Sequence, residues 1–78
     1  MDINLLNKIQ EQIDECERKY GNYASLHEAY AVLLEEVEEL KNEIFKKHRD
    51  FERIKAETID ILTVLFRLYE FAKTRNDR

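Results

Sequence analysis

Two pairs of carboxylates stand out along the chain. Glu36 and Glu39 are three residues apart, and so are Glu57 and Asp60. On a helix, residues three apart project from successive turns of one side. The first pair lies in LLEEVEEL, residues 33–40, where no lysine or arginine offsets the charge. A solvated helix face is the usual reason for such a run. The second pair changes the reading, because Glu57 falls within an apolar arc where a lone carboxylate is costly to bury. If the two segments fold back on each other about residue 48, the midpoints of the pairs lie at equal distance from the turn, roughly 16 Å along each helix at ~1.5 Å per residue. Four carboxylates at one level resist ionising together. A divalent cation between them would remove that conflict. The donors are all oxygen, which favours Mg²⁺ or Mn²⁺ over zinc. A di-iron site in a bundle would require Glu-x-x-His on two helices, and neither His27 nor His48 supplies it.

The elements that must hold these residues are helices. Proline is absent and Gly21 is the only glycine, too few turn residues for sheets. Leu5, Ile9, Ile13, Cys16 and Tyr20 recur at helical spacing and predict a first helix over about 2–20, ended by Gly21. Ser25 and Glu28 form S-x-x-E, a capping box opening a second helix over about 26–47. Its seam reads Leu26, Tyr30, Leu33, Val37, Leu40 and Ile44. Asp50 is the expected N-cap of a third helix over about 51–73. Phe51, Ile54, Ile61, Leu62, Leu65, Leu68, Tyr69 and Ala72 form its expected main face, which Val64 and Phe71 widen to about half the circumference. The β-branched run TIDILTVLF, residues 58–66, has strand character, but nothing nearby supplies a partner strand. Helices two and three are thus expected to form an antiparallel hairpin in an all-α domain covering the whole chain. A face as wide as that of helix three predicts packing on two sides. In so short a chain it predicts completion of a four-helix-type bundle by a homodimer or homotetramer.

Composition narrows the partners. The 78 residues carry a net charge of −4 and 38% charged side chains, with no basic face for nucleic acid. The longest apolar patch, residues 59–66, contains Asp60 and is too short to span a bilayer. A lone cysteine excludes an internal disulfide and suits a reducing compartment; a cytoplasmic location is the expectation. Cys16 falls on the first helix's apolar stripe and reads as core, Glu38 and Glu43 as surface charge, and His27 as a half-exposed packing residue. Tyr20, Tyr23, Tyr30 and Tyr69 are candidates for stacking a base, though core or interface roles are commoner for such residues.

The spacing E-x-x-E, seventeen residues, E-x-x-D resembles the motif of the MazG-like all-α nucleotide pyrophosphohydrolases. LLEEVEELKNEI resembles that family's first motif helix and AETIDILTVLFRL its second, so the resemblance covers roughly residues 25–72. It implies hydrolysis of a nucleoside triphosphate to the monophosphate and pyrophosphate. Glu36, Glu39, Glu57 and Asp60 match the Mg²⁺ ligands, and Glu35 matches the acidic residue that assists or orients the attacking water. Family members carry further helical material after the second motif for phosphate contacts. The basic candidates here are Lys46, Lys47, Arg49, Arg53, Lys55, Arg67, Lys73 and Arg75; Lys46, Arg53 and Arg67 stand first, with a second subunit expected to contribute. A non-catalytic helical oligomer that binds a protein partner, as an inactive relative, is the alternative. Both readings use the same seam, so only the carboxylate quartet separates them.

Overall fold

A computed structural model describes residues 2–74, and Arg75 lies outside them. The described residues form three helices: α1, Ile3–Tyr20; α2, Leu26–Ile44; and α3, Phe51–Lys73. No strand occurs among them, so TIDILTVLF is helical. With no partner strand available, backbone groups in this run are satisfied within α3, and its propensity is overridden.

Each helix start carries the cap its sequence announces. The Asp2 carboxylate accepts from the Asn4 amide at 2.9 Å. Ser25 Oγ accepts from the Glu28 amide at 3.1 Å, and Glu28 reaches back to the Ala24 amide at 2.7 Å. Asp50 Oδ1 accepts from the amides of Glu52 and Arg53 at 3.0 and 3.3 Å. Such caps satisfy amides that have no intrahelical partner, each worth about 1 kcal/mol. Gly21 ends α1 at φ 71°, a conformation that costs glycine little, and its N–H donates to the Glu17 carbonyl.

α2 ends at Ile44, three residues before the expected 47. Two basic side chains fold back over its end. Arg49 Nε donates to the Ile44 carbonyl at 2.6 Å, and Lys46 Nζ reaches Glu43 at 3.0 Å. The polar KKHR run therefore closes the helix instead of extending it.

α3 is the central element. α1 and α2 each pack on it, and not on each other. Tyr23, Ala29, Val64 and Phe71 form the buried cluster, with Val32, Leu33 and Leu68 against it. This arrangement corrects two expectations. On α2 the face turned to α3 carries Ala29, Val32 and Leu33, while Leu26, Tyr30 and Val37 of the expected seam are exposed. On α3 the buried arc is Glu57, Thr63, Val64, Arg67 and Phe71, while Phe51, Leu65 and Tyr69 of the expected main face are exposed. The physical reason is that α3 is gripped from two sides. Its buried arc must span the directions of both α1 and α2, and the polar residues caught there find partners: Gln12 for Thr63, Arg53 for Glu57, the Gly21 carbonyl for Arg67. Part of α3's wide apolar arc thus meets α1 of the same chain. Because α1 and α2 diverge, a cleft opens between them above α3, closed at one end by the 20–24 segment.

Phe71 closes the core at the C-terminal end of α3. Phe71→Ala is expected to lower the unfolding free energy by about 3 kcal/mol; urea denaturation followed by circular dichroism measures this, and a change below about 0.5 kcal/mol would show that the core does not depend on it.

Candidate metal centre

The hairpin brings Glu36 and Glu39 of α2 against Glu57 of α3, each offering one carboxylate oxygen within 4.8 Å of the others. Asp60 is not in that tight set. It lies beside it, close enough to raise the pKa of both Glu36 and Glu57. Its Oδ1 accepts from Gln12 Nε2 at 3.1 Å, and the same Gln12 nitrogen donates to Thr63 Oγ1 at 2.9 Å. Glu35 is exposed and does not line the cleft; it contributes a negative charge next to Glu36.

Burial differs among the three clustered glutamates: Glu39 is exposed, Glu36 half-buried and Glu57 buried. Glu57 is only 6% exposed. One of its oxygens faces Arg53 at 3.5 Å, while Oε2 is buried without a hydrogen-bond partner. Glu36 Oε2 is likewise buried and unpartnered. Buried polar atoms are nearly always paired, and Glu43 Oε1 and the Tyr23 hydroxyl share this lack of a partner. Desolvation, then the charges of Glu39, Asp60, Glu57 and Glu35, push the Glu36 carboxyl up to about 7. Glu57 is also raised, first by burial and then by Glu39 and Asp60, with Arg53 opposing.

Positive charge near the cluster is nearly all committed. Arg53 bridges Glu57 at 3.5 Å and Glu43 at 3.6 Å, and Lys46 pairs with Glu43 at 3.0 Å. Neither is therefore free to greet a phosphate. Glu43 is not a surface charge: it is buried at the lower end of the hairpin and organises these two cations. Asp60 takes neither Arg53 nor Arg67 as a partner; Gln12 replaces both. His27 is fully on the exposed side, and His48 sits exposed in the turn.

The cleft between α1 and α2 has a volume of about 650 Å³, within the range of small-molecule sites. Glu36 and Asp60 line it, whereas Glu39 and Glu57 do not. Arg67, Thr63, Tyr23 and Gln12 contribute further polar lining. Cys16, expected in the core, is half-buried and lines the cleft. Of the tyrosines, Tyr23 is packed with its ring under Arg67, and Tyr20 stands exposed at the rim. Tyr30 and Tyr69 line no part of the cleft.

Gln12 and Thr63 were not singled out from the sequence. Gln12 did leave a signal: it sits three residues after Ile9 and four before Cys16, a polar residue on an apolar stripe. Arg67 stands in the same relation to Val64 and Phe71. Comparison with protein-family models, with curated proteins and with solved structures returns no match.

The raised carboxyls make stability depend on pH. A carboxyl whose folded pKa lies near 7, against an unfolded value near 4.5, binds more protons folded than unfolded in that window. Its contribution is fully present below about 4.5 and is lost as pH rises through 7. In chelator-treated protein, the melting temperature of the wild type relative to Glu36→Gln should therefore fall between pH 5 and 7.5. Parallel curves for the two proteins would show that Glu36 ionises as an ordinary surface group.

Proposed function

We propose that the chain is a divalent-cation-dependent hydrolase of nucleoside triphosphates, releasing pyrophosphate and the monophosphate. One observation carries this reading: Glu36, Glu39 and Glu57 each bring a carboxylate oxygen within 4.8 Å of the others, and Glu36 also lines a cleft of small-molecule size together with Asp60. The donor set fits Mg²⁺ or Mn²⁺, since it offers hard oxygens only and bears more negative charge than Arg53 can offset. The likeness of both helices to the MazG-like motif supplies the substrate class.

Glu36, Glu39 and Glu57 would hold the cation, with Asp60 adding a carboxylate from the cleft side. When bound, the cation supplies charge for a phosphoryl oxygen and lowers the pKa of a coordinated water. The remaining steps belong to the chain. Gln12 fixes Asp60 through one oxygen and is itself fixed by Thr63. Arg53 restrains Glu57 from the turn side. These supports orient carboxylates that repel one another, a function that outer partners serve at metal sites generally.

Incubating the protein with Mg²⁺ and a panel of canonical and modified nucleoside triphosphates tests the reading directly. Pyrophosphate release is expected, and Glu57→Gln or Asp60→Asn should reduce it at least a hundredfold. Without metal both variants should melt at or above the wild-type temperature, because repulsion is relieved. Mg²⁺ should raise the melting temperature of the wild type and not of Glu57→Gln. Release of orthophosphate alone would point to a different hydrolase, and indifference to Mg²⁺ would remove the metal from the proposal.

The exposed apolar face favours a second, compatible reading: self-association. Leu26, Tyr30, Leu34, Val37 and Ile44 of α2 and Phe51, Leu65, Phe66 and Tyr69 of α3 are all exposed, Tyr30 and Tyr69 by 59% and 58%. At ~100° per residue, both stripes project to the side of the hairpin opposite the cleft. α2, about 29 Å long, and the like length of α3 beside it, ~10 Å away, present a footprint on the order of 600 Å² before side-chain relief is counted. That is comparable with the ~800 Å² per partner of a stable interface. A second copy meeting the first through a twofold axis would bury this face and make a four-helix layer. Sedimentation equilibrium should show a dimer at micromolar concentration that Val37→Lys together with Tyr69→Lys converts to monomer; a folded wild-type monomer would exclude this pairing.

A further inference from the structure

Arg67 is anomalous. It is only 8% exposed, yet no carboxylate among the described residues lies within ion-pair distance of it. Its contacts are neutral: the Gly21 carbonyl at 2.8 Å and the face of Tyr23, with its guanidinium carbon 4.4 Å from the ring centroid. A guanidinium presents five donors and cannot shed its charge, so a buried one ordinarily has an anion beside it. Tyr23 has the matching defect. Its ring is buried, and its hydroxyl has no hydrogen-bond partner. Both residues line the cleft that Glu36 and Asp60 also line.

We infer that Arg67 and the Tyr23 hydroxyl form an oxyanion subsite for a phosphoryl group of the ligand whose neighbouring phosphoryl is held at the carboxylate cluster. The inference rests on the hydrolase reading for the second half of that statement; the subsite itself rests on Arg67 and Tyr23 alone. Asp60 and Arg67 are two helical turns apart on α3, ~10.5 Å along its axis. That separation is on the scale of a linked chain of phosphoryls and longer than a single one. Arg67 supplies the charge and paired donors that suit phosphate oxygens. Burial raises the pKa of Tyr23 against the opposing pull of Arg67, which keeps the hydroxyl a proton donor. The Gly21 carbonyl and the Tyr23 ring fix the guanidinium in advance. Glu28, Glu36 and Asp60 also line the cleft, so a polyanion enters against negative charge unless a cation is present. Mg²⁺ and the anion should therefore strengthen each other's binding.

Inorganic tripolyphosphate is the probe, titrated at constant ionic strength with and without Mg²⁺ into ¹⁵N-labelled protein. The Arg67 Nε–Hε resonance should shift and saturate, most readily with Mg²⁺. By calorimetry Arg67→Gln should bind the Mg²⁺ complex at least tenfold more weakly, Tyr23→Phe about threefold, and Arg67→Lys between the two. The rise in melting temperature with Mg²⁺ alone should be the same in Arg67→Gln as in the wild type. The wild-type resonance needs no variant, so misfolding of Arg67→Gln would not protect the idea. An Arg67 resonance unmoved by tripolyphosphate, with or without Mg²⁺, overturns the subsite even where Mg²⁺ binds. A resonance that shifts in protein indifferent to Mg²⁺ would instead retain the subsite and remove the metal centre.

Discussion

Three carboxylates that each bring an oxygen within 4.8 Å of the others, only Glu57 among them paired with a guanidinium, set the terms for the rest of this small domain. The repulsion is built into the α2–α3 interface, where a chain of this size can least accommodate it. The fold answers in two ways. Arg53 stands at the turn side and links the cluster to Glu43, which Lys46 anchors in turn. Desolvation and mutual charge push Glu36 and Glu57 towards their neutral forms. Neither response satisfies the buried Oε2 atoms of the two residues. A scaffold selected for stability alone would place leucine or alanine at these positions, since replacing buried ionic groups by packed apolar ones is often neutral or stabilising. Their place in the seam is a cost that the proposed cation would offset.

Packing serves that arrangement. α3 lies between two helices that do not touch each other, an inefficient way to bury apolar surface: only Ile9, Tyr23, Ala29, Val64 and Phe71 are buried hydrophobics among the described residues. The same inefficiency produces the cleft. If α1 closed onto α2, the core would gain and the carboxylate wall would be sealed. Instead α1 stands off and sends Gln12 across to Asp60 and Thr63. Its contribution is thus a polar strut as well as an apolar stripe.

How much of this was legible beforehand follows from what each signal depends on. Helix positions depend on local chemistry, and Ser25, Asp50 and Gly21 announced them. The end of α2 depended on where Lys46 and Arg49 would fold back, which periodicity does not encode. The register that levels Glu36 and Glu39 with Glu57 could be read from chain arithmetic, because an antiparallel hairpin converts sequence distance from the turn into height. The choice of buried face could not. Counting apolar residues favours the Phe51–Leu65–Tyr69 side of α3, but the burying partners approach from the Asp60–Arg67 side and take threonine, glutamate and arginine with them. A hydrophobic stripe reveals that a face will be covered, not which neighbour covers it. In α2 and α3 the stripe left over lies on the side opposite the cleft.

That division of faces bears on how the carboxylates and Arg67 could work together. Each defect taken alone has a simple remedy: protonation for the acids, a water for the tyrosine. Arg67 has none, because its charge cannot be titrated away and no acid of the described chain reaches it. An unpaired cation and surplus anions in one cleft would be expected to collapse into a salt bridge if they could meet. They are kept apart by a rigid helix, on which Asp60 and Arg67 are fixed two turns apart, and Asp60 is occupied by Gln12. Charges separated by a stiff element retain their mutual field without neutralising each other. Under the proposed function, a ligand carrying anionic groups, with a cation at its acidic end, would satisfy both ends of the cleft at once.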